Sequence, residues 1–328
     1  MDWTRLQDVI IICVPVFATI GLGKILERNG VLNLEHRNFA NWLTYHFALP
    51  ALILGEVARQ RFVTLMNAPL ILAPILAIVC VALIYILLAK AFRIKGVLAA
   101  AFVFGTFWAN VSYMGFPLAK NAFQQEGLAL AAVYNAFIMP VMVVLGFLLI
   151  GVYGGAETGS MKSRIRRAFV NPVIIAAFVG IAVSLIGEIF RADDGTLQLP
   201  ATVLAGCETV GAFLRLIGGM GLPLALLAVG GSMHLAEIRK RLLPLSAVLA
   251  GKIILLPLFT LLLIKIIFPQ AAPETLAIGV LLSATPNAVA SYVVSRQIGI
   301  EEGFVSSMLV LSTAVSVLSL PVWLYFIL

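Results

Sequence analysis

Two stretches of this sequence set amides, hydroxyls and prolines where an apolar helix would otherwise run. Thr106 to Asn121, TFWANVSYMGFPLAKN, carries Asn110, Ser112, Gly115 and Pro117; Ser283 to Ser291, SATPNAVAS, carries Pro286 and Asn287 among hydroxyl residues. A proline removes a backbone donor, and at bilayer depth the freed groups find partners only in protein or in a wet cavity. A helix unwound there presents N–H groups and a positive dipole end on one side and carbonyls on the other. Such a site holds a small anion, a carboxylate for instance, without a full buried charge. Asn110 and Asn287 each add donors and an acceptor, while Ser112, Ser283, Thr285 and Ser291 add hydroxyls. A hydroxyl in a membrane helix commonly bonds back to its own backbone, and a lone kink commonly serves packing alone. An amide is costlier to bury, and one interrupted helix in each half of a chain points to a site at the midplane. The expected substrate-binding residues are therefore Asn110, Ser112, Pro117, Pro286, Asn287 and Ser291.

Lys252, in LAGKIILLPL, joins that set as one of the few basic residues embedded in apolar sequence. Its position lets it snorkel to the cytoplasmic interface, the reading the sequence favours. Facing a cavity instead, it would raise the local anion concentration or serve as a proton-linked charge. Glu56, Glu188 and Glu208 lie towards the ends of apolar runs and no acid falls in either break, which disfavours cation antiport by paired aspartates. Enzyme chemistry finds little support. His36, His46 and His234 lack the spacing of metal or nucleophile sites, and glycine strings such as GLGK at Gly21 and GGMG at Gly218 fit helix packing better than phosphate binding. No enzyme activity, metal or cofactor is expected.

The elements that must hold these residues are membrane spans. Of 328 residues 62% are hydrophobic and 11% charged, with mean hydropathy +1.07, against about 25% charged in a soluble domain. The formal charge of +7 sits in short clusters between apolar runs, the pattern of topology signals and not of nucleic-acid binding. Cys13, Cys80 and Cys207 read as small buried hydrophobes. Ten runs suit spans of roughly 20 residues: 9–26, 39–57, 69–91, 97–119, 128–152, 169–189, 204–235, 243–268, 275–294 and 304–328. The first reads as a retained span. The seventh is too long for a straight span, so its first part, with Glu208 and Arg215, is expected along the interface or in a loop.

The two groups of five carry matching marks. Pro50 in FALPAL answers Pro223 in GLPLAL, 173 residues on; Pro117 answers Pro286 at 169, and Glu126-Gly127 answers Glu302-Gly303 at 176. An odd number of spans per repeat inverts the second copy. The expected fold is all-α, ten transmembrane helices in two inverted five-helix repeats, 1–152 and 169–328, joined by a cytoplasmic link at 153–168, with helices 4 and 9 broken. Alternate links hold fourteen and six basic residues, so the fourteen-charge side is expected in the cytoplasm and both termini outside.

The strings NVSYMGFPLAKNAFQQEG, GLPLALLAVGGSMHL, ATPNAVASYVVSRQIG and STAVSVLSLPVWL resemble, in order and over essentially the whole chain, the auxin efflux carrier family, in particular its bacterial malonate-transporter-like members. Bile-acid:sodium symporters are related and share the ten-span inverted repeat. The resemblance implies a scaffold of spans 1, 2, 6 and 7 and a mobile transport unit of spans 3–5 and 8–10. It also implies that spans 4 and 9 cross at their prolines, here Pro117 and Pro286, with Asn110 and Asn287 on the substrate carboxylate. The long central loop of plant members has no counterpart here, and auxin itself is not implied. The expectation is an elevator-type, sodium-independent carrier of small organic anions in the inner (plasma) membrane. Sodium-coupled anion symport and a non-transporting receptor or scaffold stand as alternatives. The expected partners are a small carboxylate, the lipid bilayer and a second copy in a homodimer, with no nucleic acid.

Overall fold

Long apolar runs without water to solvate their backbone satisfy it internally, and the helix is the local way to do so. The computed structural model of the chain describes residues 3–153, 172–191, 198–231, 242–288, 291, 295 and 300–328. Among these residues there is no β-strand. The helices are α1 (Trp3–Arg28), α2 (34–57), α3 (Ala68–Ala91), α4 (Gly96–Phe104), α5 (111–122), α6 (125–153), α7 (Pro172–Ile189), α8 (Ala201–Gly218), α9 (Gly221–Gly231), α10 (242–267), α11 (Pro273–Ala284) and α12 (Glu302–Ile327). A π-helical turn lies inside α2 (Thr44–Ala48) and α10 (Gly251–Leu255), and another opens α5 (Val111–Gly115). Sequence chemistry sets several starts. Asn67 Oδ1 accepts from Leu70 N–H at 3.1 Å ahead of Pro69, and Asn33 accepts from His36 N–H at 2.9 Å.

Six helical stretches among the described residues are long and apolar enough to cross a membrane: Ile10–Arg28, Ala68–Ala91, Val111–Tyr153, Ala201–Gly231, Leu242–Ile267 and Gly303–Ile327. Val111–Tyr153 bends sharply at Phe123 and Gln124, where Gln124 takes φ 55° and α5 gives way to α6. The acid-glycine steps Glu126-Gly127 and Glu302-Gly303 sit in the first turns of α6 and α12. Of the two expectations for the first part of the seventh run, a loop is excluded: Ala201–Gly218 is regular helix, Glu208 and Arg215 included, and the chain turns only at Gly219-Met220 before α9. The basic residues Lys162, Arg164, Arg166, Arg167, Arg239, Lys240, Arg241 and Arg296, together with His234, lie outside the described residues.

Glycine sets the closest packing. A Cβ at Gly23 would stand 2.2 Å from the Leu227 carbonyl oxygen and one at Gly230 1.9 Å from that of Ile20, so α1 and α9 meet backbone to backbone. Gly218 of α8 meets Leu52 of α2 at 2.7 Å in the same way, and Gly180 of α7 meets Val57 at 2.9 Å. Around the candidate site the filling is aromatic: Phe102, Phe104, Phe107 and Trp108 are all buried, with Phe104 and Trp108 ring centroids 4.7 Å apart.

Candidate functional site

The two interrupted runs meet. α4 stops at Phe104 and helix resumes at Val111, while α11 stops at Ala284. Between these ends Ala109 and Asn287 form an isolated antiparallel bridge, and Asn110 N–H donates to the Pro286 carbonyl at 2.8 Å. Backbone groups that each helix leaves unpaired are thus partly satisfied by the other segment, as a membrane interior demands. Gly115 lets α5 close on α11, since a Cβ there would lie 2.7 Å from Leu282 Cδ2. The break falls upstream of Pro117. The π-helical turn Val111–Gly115 lets the ladder run on ahead of the proline, which becomes an interior residue of α5, whereas Pro286 stands in the break itself.

Both asparagines are buried here, Asn110 2% and Asn287 0% exposed. Asn287 is held from two sides: its N–H donates to Ser312 Oγ at 3.0 Å and its Nδ2 to the Gly105 carbonyl at 2.8 Å. That leaves Asn287 Oδ1 without a partner. Asn110 makes no side-chain cap to α5, and its Nδ2 is likewise unpartnered. Unsatisfied buried polar atoms cost about 1–3 kcal/mol each, and two of them stand at this one junction. The hydroxyls behave differently. Thr285 Oγ1 donates to Leu282 O at 2.7 Å and Ser291 Oγ to Ala288 O at 2.6 Å, both local bonds, while Ser112 is half-buried at the start of α5.

Lys252 does not snorkel. Its side chain is fully buried, and Nζ donates to the Ser283 carbonyl at 2.6 Å, at the C-terminal end of α11. The inward direction follows from the π-helical turn around it. Gly251 admits the Tyr85 ring, against which a Cβ would stand at 2.6 Å, Tyr85 OH donates to Ala247 O, and Trp323 Nε1 donates to Ile253 O at 2.8 Å. Ser283 Oγ in turn lies 3.0 Å from Thr260 Oγ1 and 3.2 Å from Tyr134 OH. The carbonyl ends of both interrupted helices are therefore capped from within, Gly105 by the Asn287 amide and Ser283 by Lys252 Nζ.

Sequence reasoning missed Ser312, Tyr134 and Thr260, which hold the site residues in place, and Asn135, 3% exposed with Nδ2 unpartnered on α6. The polar run Ser312, Thr313 and Ser316 inside an apolar helix was the available signal. Among the described residues no cluster of three His, Cys, Asp or Glu could hold a metal ion.

Comparison with known proteins bears on what such a junction serves. A relative from Methanothermobacter thermautotrophicus, named "Uncharacterized transporter", is 24% identical over 311 residues, covering 94% of this chain and 95% of its own. A second, from Rhizobium meliloti and named "Putative malonate transporter", is 23% identical over 333 residues, covering 95% and 94%. The family profile described as Membrane transport protein matches residues 8–324. With that match spanning nearly the whole chain, the protein belongs to the auxin efflux carrier-like membrane transport family.

Proposed function

We propose that the chain is a secondary carrier of small organic anions, carboxylates in particular, and that substrate binds where residues 105–117 meet residues 283–288. The observation that carries this reading is the pair of buried, unpartnered amide atoms at that junction, Asn110 Nδ2 and Asn287 Oδ1. The N-terminal end of α5, with Ser112 in its first turn, adds N–H groups and a positive dipole end. The relative named for malonate is consistent with a dicarboxylate substrate.

The fold proposed for this function has ten spans in two inverted repeats, 1–152 and 169–328, with runs four and nine as crossover helices and both termini outside the inner membrane. Spans 1, 2, 6 and 7 form the scaffold and spans 3–5 and 8–10 the moving unit of an elevator. Glycine contacts support the division, since α1 with α9, α2 with α8 and α2 with α7 are all clamped at van der Waals limits. A homodimer is the proposed assembly.

Transport is proposed to be sodium-independent. Crossover sodium sites use unwound carbonyls, and here Gly105 and Ser283 already accept from Asn287 Nδ2 and from Lys252 Nζ. The test is uptake of malonate into proteoliposomes at fixed pH and clamped potential, with sodium replaced by choline. Equal uptake is expected. Accumulation only when sodium is supplied on the same side would make the chain a sodium symporter, and binding without flux would make it a receptor.

A further inference from the structure

We infer that Arg59 and Arg215 together hold the phosphate of an anionic phospholipid against the exposed side of α8, a binding site apart from the junction and independent of what the junction carries. Helix geometry brings the two side chains to one place. α2 and α8 run antiparallel in contact, Gly218 against Leu52, Gly55 against Leu214 and Gly211 against Arg59. Arg215 stands four residues after Gly211, and a helical side chain leans towards the N-terminus, so its head lies over the turn that Gly211 leaves bare. Arg59, just past the end of α2, reaches the same spot from the other helix. A Cβ at Gly211 would stand 3.4 Å from Arg215 Nη1 and 3.6 Å from Arg59 Nη2, so two guanidinium groups border one methyl-sized space.

Two like charges this close call for an anion. Among the described residues neither arginine forms an ion pair, and the acids of this region are engaged or turned elsewhere. Glu188 is shared by Arg61 at 2.7 Å and Arg191 at 3.5 Å. Glu56 is buried and faces the side-chain amide of Gln125 at 3.2 Å. Glu208, one turn before Gly211, pairs with neither arginine. The surroundings decide which anion fits. Both arginines are exposed, and Arg215 lies within Ala201–Gly231, a stretch long and apolar enough to cross a membrane. Val210, Phe213 and Leu216 on the same helix are 58%, 62% and 75% exposed. A soluble anion would meet the charges and leave those side chains uncovered, whereas a phospholipid brings a phosphate for the guanidinium forks and acyl chains for the apolar face. Arginine heads on a spanning helix settle at headgroup level, where phosphate is always at hand, and a headgroup of net negative charge is what balances two cations. A second copy centred on this spot by a two-fold axis would add two more guanidinium groups to the pair, which disfavours it as the occupant.

Competition between two lipids tests this. Dioleoylphosphatidylglycerol and dioleoylphosphatidylcholine are offered in equal amounts to purified full-length protein in detergent, and the lipid retained is counted by native mass spectrometry. The native chain is expected to retain the anionic lipid about fivefold or more over the zwitterionic one. Arg59→Gln combined with Arg215→Gln should bring that ratio close to parity. Gly211→Leu, which keeps both charges, adds a helix-favouring residue and fills the space between the guanidinium groups, should lower it severalfold. Lys265→Gln, exposed on α10, should leave it at the native value, and thermal unfolding in the same detergent checks that every variant is folded. Equal retention of the two lipids by the native chain overturns the inference, and so does a double variant that keeps the native ratio. Inorganic phosphate in excess should leave the ratio unchanged; if it displaces the phosphatidylglycerol, the arginines are a site for soluble anions and the lipid assignment fails. A dimer that the double variant takes apart, with no lipid preference in either protein, would make the patch an interface between copies and overturn the inference as well. No arm reads substrate flux, so each of these failures leaves the carrier reading standing.

Discussion

Replacing Lys252 by Met asks whether the ammonium at the end of α11 does the work of a cation. The side chain is fully buried, and Nζ lies 2.6 Å from the Ser283 carbonyl. A charge-assisted hydrogen bond of this kind contributes about 1.5–3 kcal/mol, and a cation at a helix C-terminus up to about 2 kcal/mol in a partly buried setting. Against both stands the desolvation of a buried ammonium, several kcal/mol, which a methionine of similar length does not incur. The desolvation and the favourable terms largely cancel. What remains is a buried carbonyl that has lost its donor, a cost of about 1–3 kcal/mol. Lys252→Met is therefore expected to lower stability by that amount, a fall of several degrees in Tm. The freed carbonyl end would then attract a small cation. Thermal unfolding of purified protein in sodium chloride and in choline chloride should be the same for the native chain, while the variant should be stabilised by sodium. A variant within about 0.5 kcal/mol of the native protein and indifferent to sodium would refute the argument, because the carbonyl would then have found another partner.

Three further outcomes follow from the geometry. Asn110→Ala and Asn287→Ala should each weaken malonate binding roughly five- to hundredfold, and Asn287→Ala should also unfold earlier, because the Gly105 carbonyl loses its donor at 2.8 Å; equal stability of the two variants in thermal unfolding would contradict that ranking. Gly230→Ala places a methyl 1.9 Å from the Ile20 carbonyl oxygen, a backbone atom that cannot swing away, so α1 and α9 must part and stability should drop by about 1–3 kcal/mol; an unchanged Tm would mean the helices are not in contact there. Single cysteines at Arg164 and Lys240, in a chain without its native cysteines, should resist a membrane-impermeant thiol reagent on intact cells, and ready labelling would reverse the proposed orientation.

The helices were legible because apolar periodicity at this scale leaves the backbone little choice, and the two breaks because prolines and amides are conspicuous in such runs. Where each break lies was harder to read. Pro117 drew attention to itself, yet the helix lets go at Gly105, which has no side chain to hold the turn and whose carbonyl is taken over by Asn287, a residue 182 positions away. A partner that distant leaves no local trace. Lys252 was misread for a related reason: one basic residue near the start of a run looks like a snorkelling cation, and only Gly251, the π-helical turn and the Tyr85 ring direct it inward. Helix at Ala201–Gly218 was obscured by its two charges and by Gly206 and Gly211, none of which interrupts it.

The arrangement of helix ends is what supports the proposed carriage of an anion without a coupling cation. Two helices interrupted in mid-membrane expose four ends, two of carbonyls and two of N–H groups, and every one needs a partner. In this chain the carbonyl ends are closed by the protein itself, Gly105 by an amide and Ser283 by Lys252 Nζ, with Thr260 and Tyr134 packed around the Ser283 hydroxyl. The N-terminal end of α5 is left without a side-chain cap, beside the unpartnered Asn110 and Asn287 atoms. With the carbonyl ends closed and one N-terminal end open, the junction suits the anionic ligand proposed for it.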